Sequence, residues 1–115
     1  MENQVQTFFK EFLKSKQRMA RYIPETVKGF MSLYEKTSQP GALDKKQKEL
    51  IAVGIAVAQP CTACIYLHVQ QAVEAGATVR EVMEAAGVAV VMGGGPAFSH
   101  IAEVLKTFEA LEVKI

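Results

Sequence analysis

Apolar residues recur at helical spacing along most of the chain. Val5, Phe8, Phe9, Phe12 and Leu13 follow an i, i+3, i+4, i+7, i+8 pattern, which lines one face of a helix. Pro24 stands where a first-turn proline belongs, and Val27, Phe30, Met31 and Tyr34 mark the inward face of a second helix. Ser38-Gln39-Pro40-Gly41 stops it. Asp44 with Gln47 makes a capping pair for a third helix that runs to Ala58. Pro60 breaks the chain, and a fourth helix starts at Cys61 and Cys64 and ends near Gly76, a left-handed cap. Thr78 with Glu81 opens a fifth helix by the same capping logic. Gly93-Gly94-Gly95 ends that one and Pro96 starts a sixth, whose stripe is Phe98, Ile101, Leu105 and Phe108. Strand signals are nearly absent, because the β-branched run Val88–Met92 continues the helix begun at Thr78. The pattern predicts an all-α domain, a small bundle of about six helices.

Two of these helices are too apolar for one buried stripe. Ile51-Ala52-Val53-Gly54-Ile55-Ala56-Val57-Ala58 leaves the third helix no polar face there, and a helix hydrophobic all round must be covered on all sides. A chain of 115 residues has little material to do this, so another subunit is expected to cover part of it. An obligate homo-oligomer follows, and closed symmetry favours an even number of copies. Lys45, Lys46 and Lys48 at the start of the same helix read as a solvated face.

The length fits one domain, 1–115, with N-terminal helices in 1–42 and a core in 43–111. A formal net charge of +1 predicts neither a nucleic-acid partner nor a polybasic membrane patch. The start Met1-Glu2-Asn3-Gln4 lacks the pattern of a signal peptide. The apolar runs Leu50–Ala58 and Ala85–Met92 fall short of the ~20 residues that span a bilayer. A soluble, cytoplasmic protein with no membrane partner is expected.

In a reducing compartment two cysteines are not a structural staple, and a disulfide within Cys61-Thr62-Ala63-Cys64 closes too small a loop to constrain the unfolded chain much. Their use is therefore chemical or metal-binding. Residues three apart on a helix start share a face, so the two sulfurs can reach each other. The N–H groups and dipole of the helix N-terminus favour thiolate over thiol. His68, four residues after Cys64, lies one turn deeper on that face and can take the Cys64 proton. If the third and fourth helices pair antiparallel, Glu49 lies roughly 14 Å and His68 roughly 10 Å from their turn. Those depths allow a direct or water-bridged contact, in which the carboxylate orients the ring and raises its basicity.

This combination resembles the carboxymuconolactone decarboxylase-like superfamily, in its alkylhydroperoxidase D-type branch. The resemblance rests on Glu49, on Cys61-Thr62-Ala63-Cys64 twelve residues later, and on His68. It continues through Ala75-Gly76-Ala77-Thr78 and Gly94-Gly95-Pro96-Ala97, covering Leu43 to Leu111. It implies an all-helical fold assembled as trimers or hexamers, with no cofactor. It implies a hydroperoxide reductase, or more broadly a thiol–disulfide oxidoreductase. Small hydroperoxides or disulfides would be its substrates and an external dithiol its reductant. Carried over, Cys64 is the peroxidatic thiol, Cys61 the resolving thiol and proton donor, His68 the base and Glu49 its partner. One departure stands out: the enzymes of the branch carry a second histidine between their cysteines, where this chain has Ala63, which weakens the relay. The chain also has one helical unit where those enzymes have a longer, two-part chain.

Other readings compete. Cys61, Cys64, His68 and His100 are ligand types that suit tetrahedral zinc, although three of them on one helix are unlike a zinc finger. Covalent haem needs a histidine directly after the second cysteine, where Ile65 stands. A thioredoxin-like protein would need strands. A non-catalytic oligomeric member of the family would keep both thiols buried and ordinary in reactivity. Lactone decarboxylation is the family's other chemistry, but those enzymes generally lack the cysteine pair. Tyr66, beside the site, is expected to pack rather than line a pocket. Phe98 and His100 are candidates to approach the site across a subunit boundary.

Overall fold

The structure, a computed structural model, describes residues 3–115; Met1 and Glu2, on which the N-terminal signal reading partly rests, lie outside them. The helices are α1 (Gln4–Tyr22), α2 (Pro24–Thr37), α3 (Lys45–Ala58), α4 (Thr62–Glu74) and α5 (Val79–Ala110). Among the described residues there is no strand. Local chemistry sets most of the boundaries. Asp44 and Gln47 satisfy each other's backbone N–H groups at the start of α3, as Thr78 and Glu81 do for α5. Asn3 and Gln6 make a third such box before α1. Gly76, at φ 94°, turns the chain out of α4.

The expected fifth and sixth helices form one long element with a kink. Gly94 sits at φ 67°, ψ −148° inside α5, and Pro96 follows it. That backbone region is open essentially to glycine alone, so the glycine run bends the helix without ending it. The bend also changes the phase of the apolar stripe. Ala97, Val104 and Phe108 are fully buried with Ile101 packed against them, whereas Phe98 is 68% exposed. The large aromatic therefore points outward, and the small Ala97 takes the position against the core. By length and composition α5 could also cross a membrane, which the separate apolar runs did not indicate. It supplies Val82, Ala86, Ala89, Val104 and Phe108 to the core.

That core lies between α3, α4 and α5, where Val53, Val57, Ile65, Val69, Val82 and Phe108 are shielded from solvent. The α1–α2 hairpin is attached more lightly. Val5 is its one buried residue among those described, and Phe8 and Phe9 pack with it on Tyr66 and Ala110. The expected inward faces are only partly inward. Leu13 in α1 and Phe30 and Met31 in α2 are exposed in the single chain. On the other side Ile51 and Ile55 of α3 and Val88, Val91 and Met92 of α5 are also exposed. Ile51, Ile55, Val88 and Met92 border an apolar groove of about 400 Å³ between these two helices. The lysines at the start of α3 are not simply solvated. Lys46 pairs with Glu81 at 2.9 Å, and Lys48 Nζ donates to the carbonyls of Thr37 and Gln39, tying the α2–α3 connection to α3.

Candidate active site

The Cys61–Cys64 pair sits where the chain leaves the α3–α4 turn and enters α4. Cys61 is the N-cap, with extended backbone at φ −116°, ψ 99°, and its Sγ accepts the N–H of Cys64 at 3.2 Å. A sulfur thus fills the place that a serine or aspartate oxygen takes at most helix starts. The two Cα atoms are 5.2 Å apart and the cysteines are joined as a disulfide. Each is only partly buried, and Cys64 rests against the edge of the main core. The sequence reading expected the sulfurs to reach each other, and they do.

Glu49 and His68 meet directly. His68 Nδ1 lies 3.0 Å from Glu49 Oε2. The carboxylate is almost fully buried, at 2% exposure, on a helix whose other buried residues are apolar. An ionised carboxylate removed from water without partners costs several kcal/mol, and here both oxygens are occupied. Oε2 faces His68, and Oε1 accepts a hydrogen bond from Tyr34 Oη at 2.8 Å. Because an ionised carboxylate only accepts, the hydrogen in the His68 contact sits on Nδ1, leaving Nε2 as the nitrogen able to take a proton.

Tyr34 is the site residue that sequence reasoning missed. The sequence pattern places it only on the inward face of α2, yet it reaches from the hairpin to the buried carboxylate. Its ring also stands edge-on to His68, 5.8 Å between centroids. Burial, then the hydrogen bond and charge of Glu49, push its phenol well above the usual tyrosine range. It therefore stays protonated and keeps donating at any physiological pH. The signal was faint in the sequence: a tyrosine among apolar residues, fifteen positions before an isolated glutamate.

The remaining residues fall into place around this center. Tyr66 is buried and packs edge-on against Phe8, 5.5 Å between centroids, as expected of a packing residue. His100 lies within the same chain, 3.0 Å from Glu103, and Glu103 accepts from the Thr62 hydroxyl at 3.1 Å. Its approach needs no subunit boundary. Phe98 is exposed away from the core. Among the described residues no group of three or more histidine, cysteine or acidic side chains is arranged to hold a metal ion, so Cys61, Cys64, His68 and His100 do not converge as a zinc site.

Comparison with known proteins finds relatives in both sequence and fold. Residues 24–107 match the model of the carboxymuconolactone decarboxylase family, a span that takes in α2 as well as the cysteine-bearing core. A carboxymuconolactone decarboxylase family protein from Legionella pneumophila, solved in its apo form, superposes with a TM-score of 0.88 at 41% identity, covering 96% of this chain and 97% of that one. A family protein from Thermotoga maritima, for which involvement in an antioxidative response has been suggested, superposes at 0.76 with 28% identity over 89% of this chain and 90% of its own. An uncharacterized protein encoded in the cox locus of Paracoccus denitrificans is 39% identical over 83 residues, 72% of this chain and 75% of its own.

Proposed function

In a chain that belongs to the carboxymuconolactone decarboxylase family, we propose that the Cys61–Cys64 pair is a redox center that reduces hydroperoxides by a dithiol–disulfide cycle. The observation that carries this reading is the Glu49–His68 contact of 3.0 Å. It sits on the helix that begins at the cysteine pair, with His68 one turn beyond Cys64. A buried carboxylate holding an imidazole by Nδ1 makes Nε2 a better base. The same helix start stabilizes a thiolate through its dipole and free N–H groups.

In the cycle, His68 takes the Cys64 proton and the thiolate attacks the distal oxygen of the hydroperoxide. The O–O bond breaks, Cys64 becomes a sulfenic acid, and the alkoxide leaves as an alcohol after taking a proton. Cys61 then attacks the sulfenic sulfur, the S–S bond forms and water departs. An external dithiol reduces the disulfide by two exchange steps and is itself oxidised to a disulfide. No cofactor is required. Ala63 between the cysteines leaves His68 as the one imidazole in the motif, and Tyr34 fixes the carboxylate behind it.

The exposed Ile51, Ile55, Val88, Val91 and Met92 support a homo-oligomer in which this face meets another copy, with a trimer or hexamer as the family resemblance implies. A cytoplasmic location fits thiols that must be re-reduced after each turnover.

The test is to add one equivalent of an organic hydroperoxide to the reduced protein, count free thiols and record intact mass, with Cys64→Ser as control. Rapid loss of both thiols and of about two mass units, absent in the control, is the expected result. An inert wild-type protein would overturn the peroxidase reading.

A further inference from the structure

A second carboxylate–imidazole pair stands at the same helix start. His100 and Glu103 lie one turn apart in the second half of α5, with Nδ1 and Oε1 at 3.0 Å. Glu103 Oε1 also accepts from the hydroxyl of Thr62 at 3.1 Å, and Thr62 is the residue directly after Cys61. The pair is incompletely satisfied. His100 Nδ1 and the other carboxylate oxygen, Oε2, are both buried, and neither makes a hydrogen bond among the described residues. The His100–Glu103 contact is thus close but without hydrogen-bond alignment. A buried polar atom left in this state costs on the order of 1–3 kcal/mol, more if it is charged. Its persistence beside a reactive motif calls for a reason. Tyr66 on α4 is the other titratable group that the Glu103 charge reaches: burial first, and then Glu103, raise its phenol above the usual range.

The structure holds the cysteines as a disulfide, which has no S–H to donate. Reduction gives each sulfur a proton to hold or release. The Glu49–His68 pair comes from α3 and α4 and stands one turn past Cys64. The Glu103–His100 pair comes from α5 and reaches the turn at Thr62, beside Cys61. Core packing alone does not demand two such pairs converging on four residues.

We propose that Glu103 and His100 are a second acid–base pair, serving Cys61 as Glu49 and His68 serve Cys64. This rests on the thiol–disulfide reading above. In the resolving step the Cys61 S–H gives its proton to His100, and the sulfur attacks the sulfenic sulfur of Cys64. The S–S bond forms, the S–O bond breaks, and the departing oxygen leaves as water with that proton and the one it already carried. In the return step an external thiolate attacks Cys64. Cys61 leaves with the bonding electron pair and takes a proton back from His100. Glu103 and Thr62 are positioning residues that hold the pair against the first turn of α4.

The test uses single-thiol proteins and needs no peroxide. In Cys64→Ser, Cys61 is the sole thiol, and its alkylation by iodoacetamide is followed by intact mass from pH 6 to 10. Adding His100→Ala is expected to slow Cys61 about tenfold at pH 7, equivalent to one pH unit in thiolate fraction. Glu103→Gln, which keeps the shape, is expected to slow it about threefold, and all rates should converge above about pH 9, where the thiolate forms unaided. Cys64 in the Cys61→Ser protein should be unaffected by either change. Unchanged Cys61 rates, or equal slowing of both thiols, would overturn the proposal. If wild-type protein ignores hydroperoxide while Cys61 still slows, the peroxidase reading falls and this pair stands. If wild-type protein consumes peroxide and Cys61 does not slow, the pair alone is wrong.

Discussion

The phenol of Tyr34 donates to Oε1 of Glu49 at 2.8 Å while His68 occupies Oε2 at 3.0 Å, so a residue of the N-terminal hairpin completes the shell of a carboxylate buried in the core. The hairpin otherwise buries little, and this bond links its second helix to α3. It also fixes which carboxylate oxygen faces the imidazole. Structural attachment and the electronics of the relay therefore depend on one hydroxyl.

Tyr34→Phe removes that donor and leaves Glu49 Oε1 buried without a partner. Hydrogen bonds to charged groups contribute roughly 1.5–3 kcal/mol, and a loss of that size is expected in urea unfolding. A midpoint identical to wild type would mean that the carboxylate finds another donor.

The same tyrosine makes stability depend on alkaline pH. Its pKa is raised in the folded protein, so the native state holds the phenolic proton where the unfolded chain, with a pKa of about 10, releases it. The contribution is fully present below about pH 10 and falls as pH rises beyond that. Wild-type stability should therefore drop more steeply than that of Tyr34→Phe between about pH 10 and 11. Parallel curves would contradict the raised pKa.

Glu49→Gln tests the relay with little change of shape. The amide can still accept from Tyr34, but its NH₂ group donates to His68 Nδ1 and moves the ring hydrogen to Nε2, the wrong tautomer for a base. Cys64 alkylation at neutral pH should slow about tenfold or more, with the circular dichroism spectrum unchanged. His68→Ala should match it in rate but destabilize further, because it strands the buried carboxylate. Wild-type alkylation rates in both variants would remove His68 and Glu49 from the mechanism.

At the α5 kink, Gly94→Ala and Gly95→Ala should separate sharply. Gly94 lies at φ 67°, so a side chain there is strained by about 1–3 kcal/mol. A Cβ on Gly95 meets nothing within 4 Å, and its φ is not positive. Gly95→Ala is expected to be neutral or stabilizing by up to about 1 kcal/mol. Thermal melts of the two variants decide this, and equal effects would mean that the kink relaxes.

Assembly is read at Val91, which is 83% exposed in the single chain. A glutamate there should cost the isolated chain within about 0.5 kcal/mol, as surface changes do, yet break an apolar contact between copies. Light scattering after gel filtration is expected to show wild type as an oligomer and Val91→Glu as smaller species. A wild-type monomer would leave this face without its proposed partner.

The features legible from the residue pattern alone are those whose physics is local. The capping pairs Asp44/Gln47 and Thr78/Glu81 act over three residues, and the structure places both where the pattern did. The spacing of Cys61, Cys64 and His68 along one helix is likewise a matter of helical rise and turn. Even the Glu49–His68 contact was legible, because a single short turn fixes the depths of both residues on adjacent helices. The rest depends on how distant segments pack and is visible only in the folded chain. Nothing near Tyr34 in sequence marks it as the donor to Glu49, because the docking of the hairpin brings the two together. Gly93-Gly94-Gly95 reads locally as a stop, but the core retains both halves of α5, so it becomes a bend that turns Phe98 outward and Ala97 inward. The contact of Thr62 with Glu103, forty-one residues apart along the chain, is likewise set by how the second half of α5 packs at the start of α4.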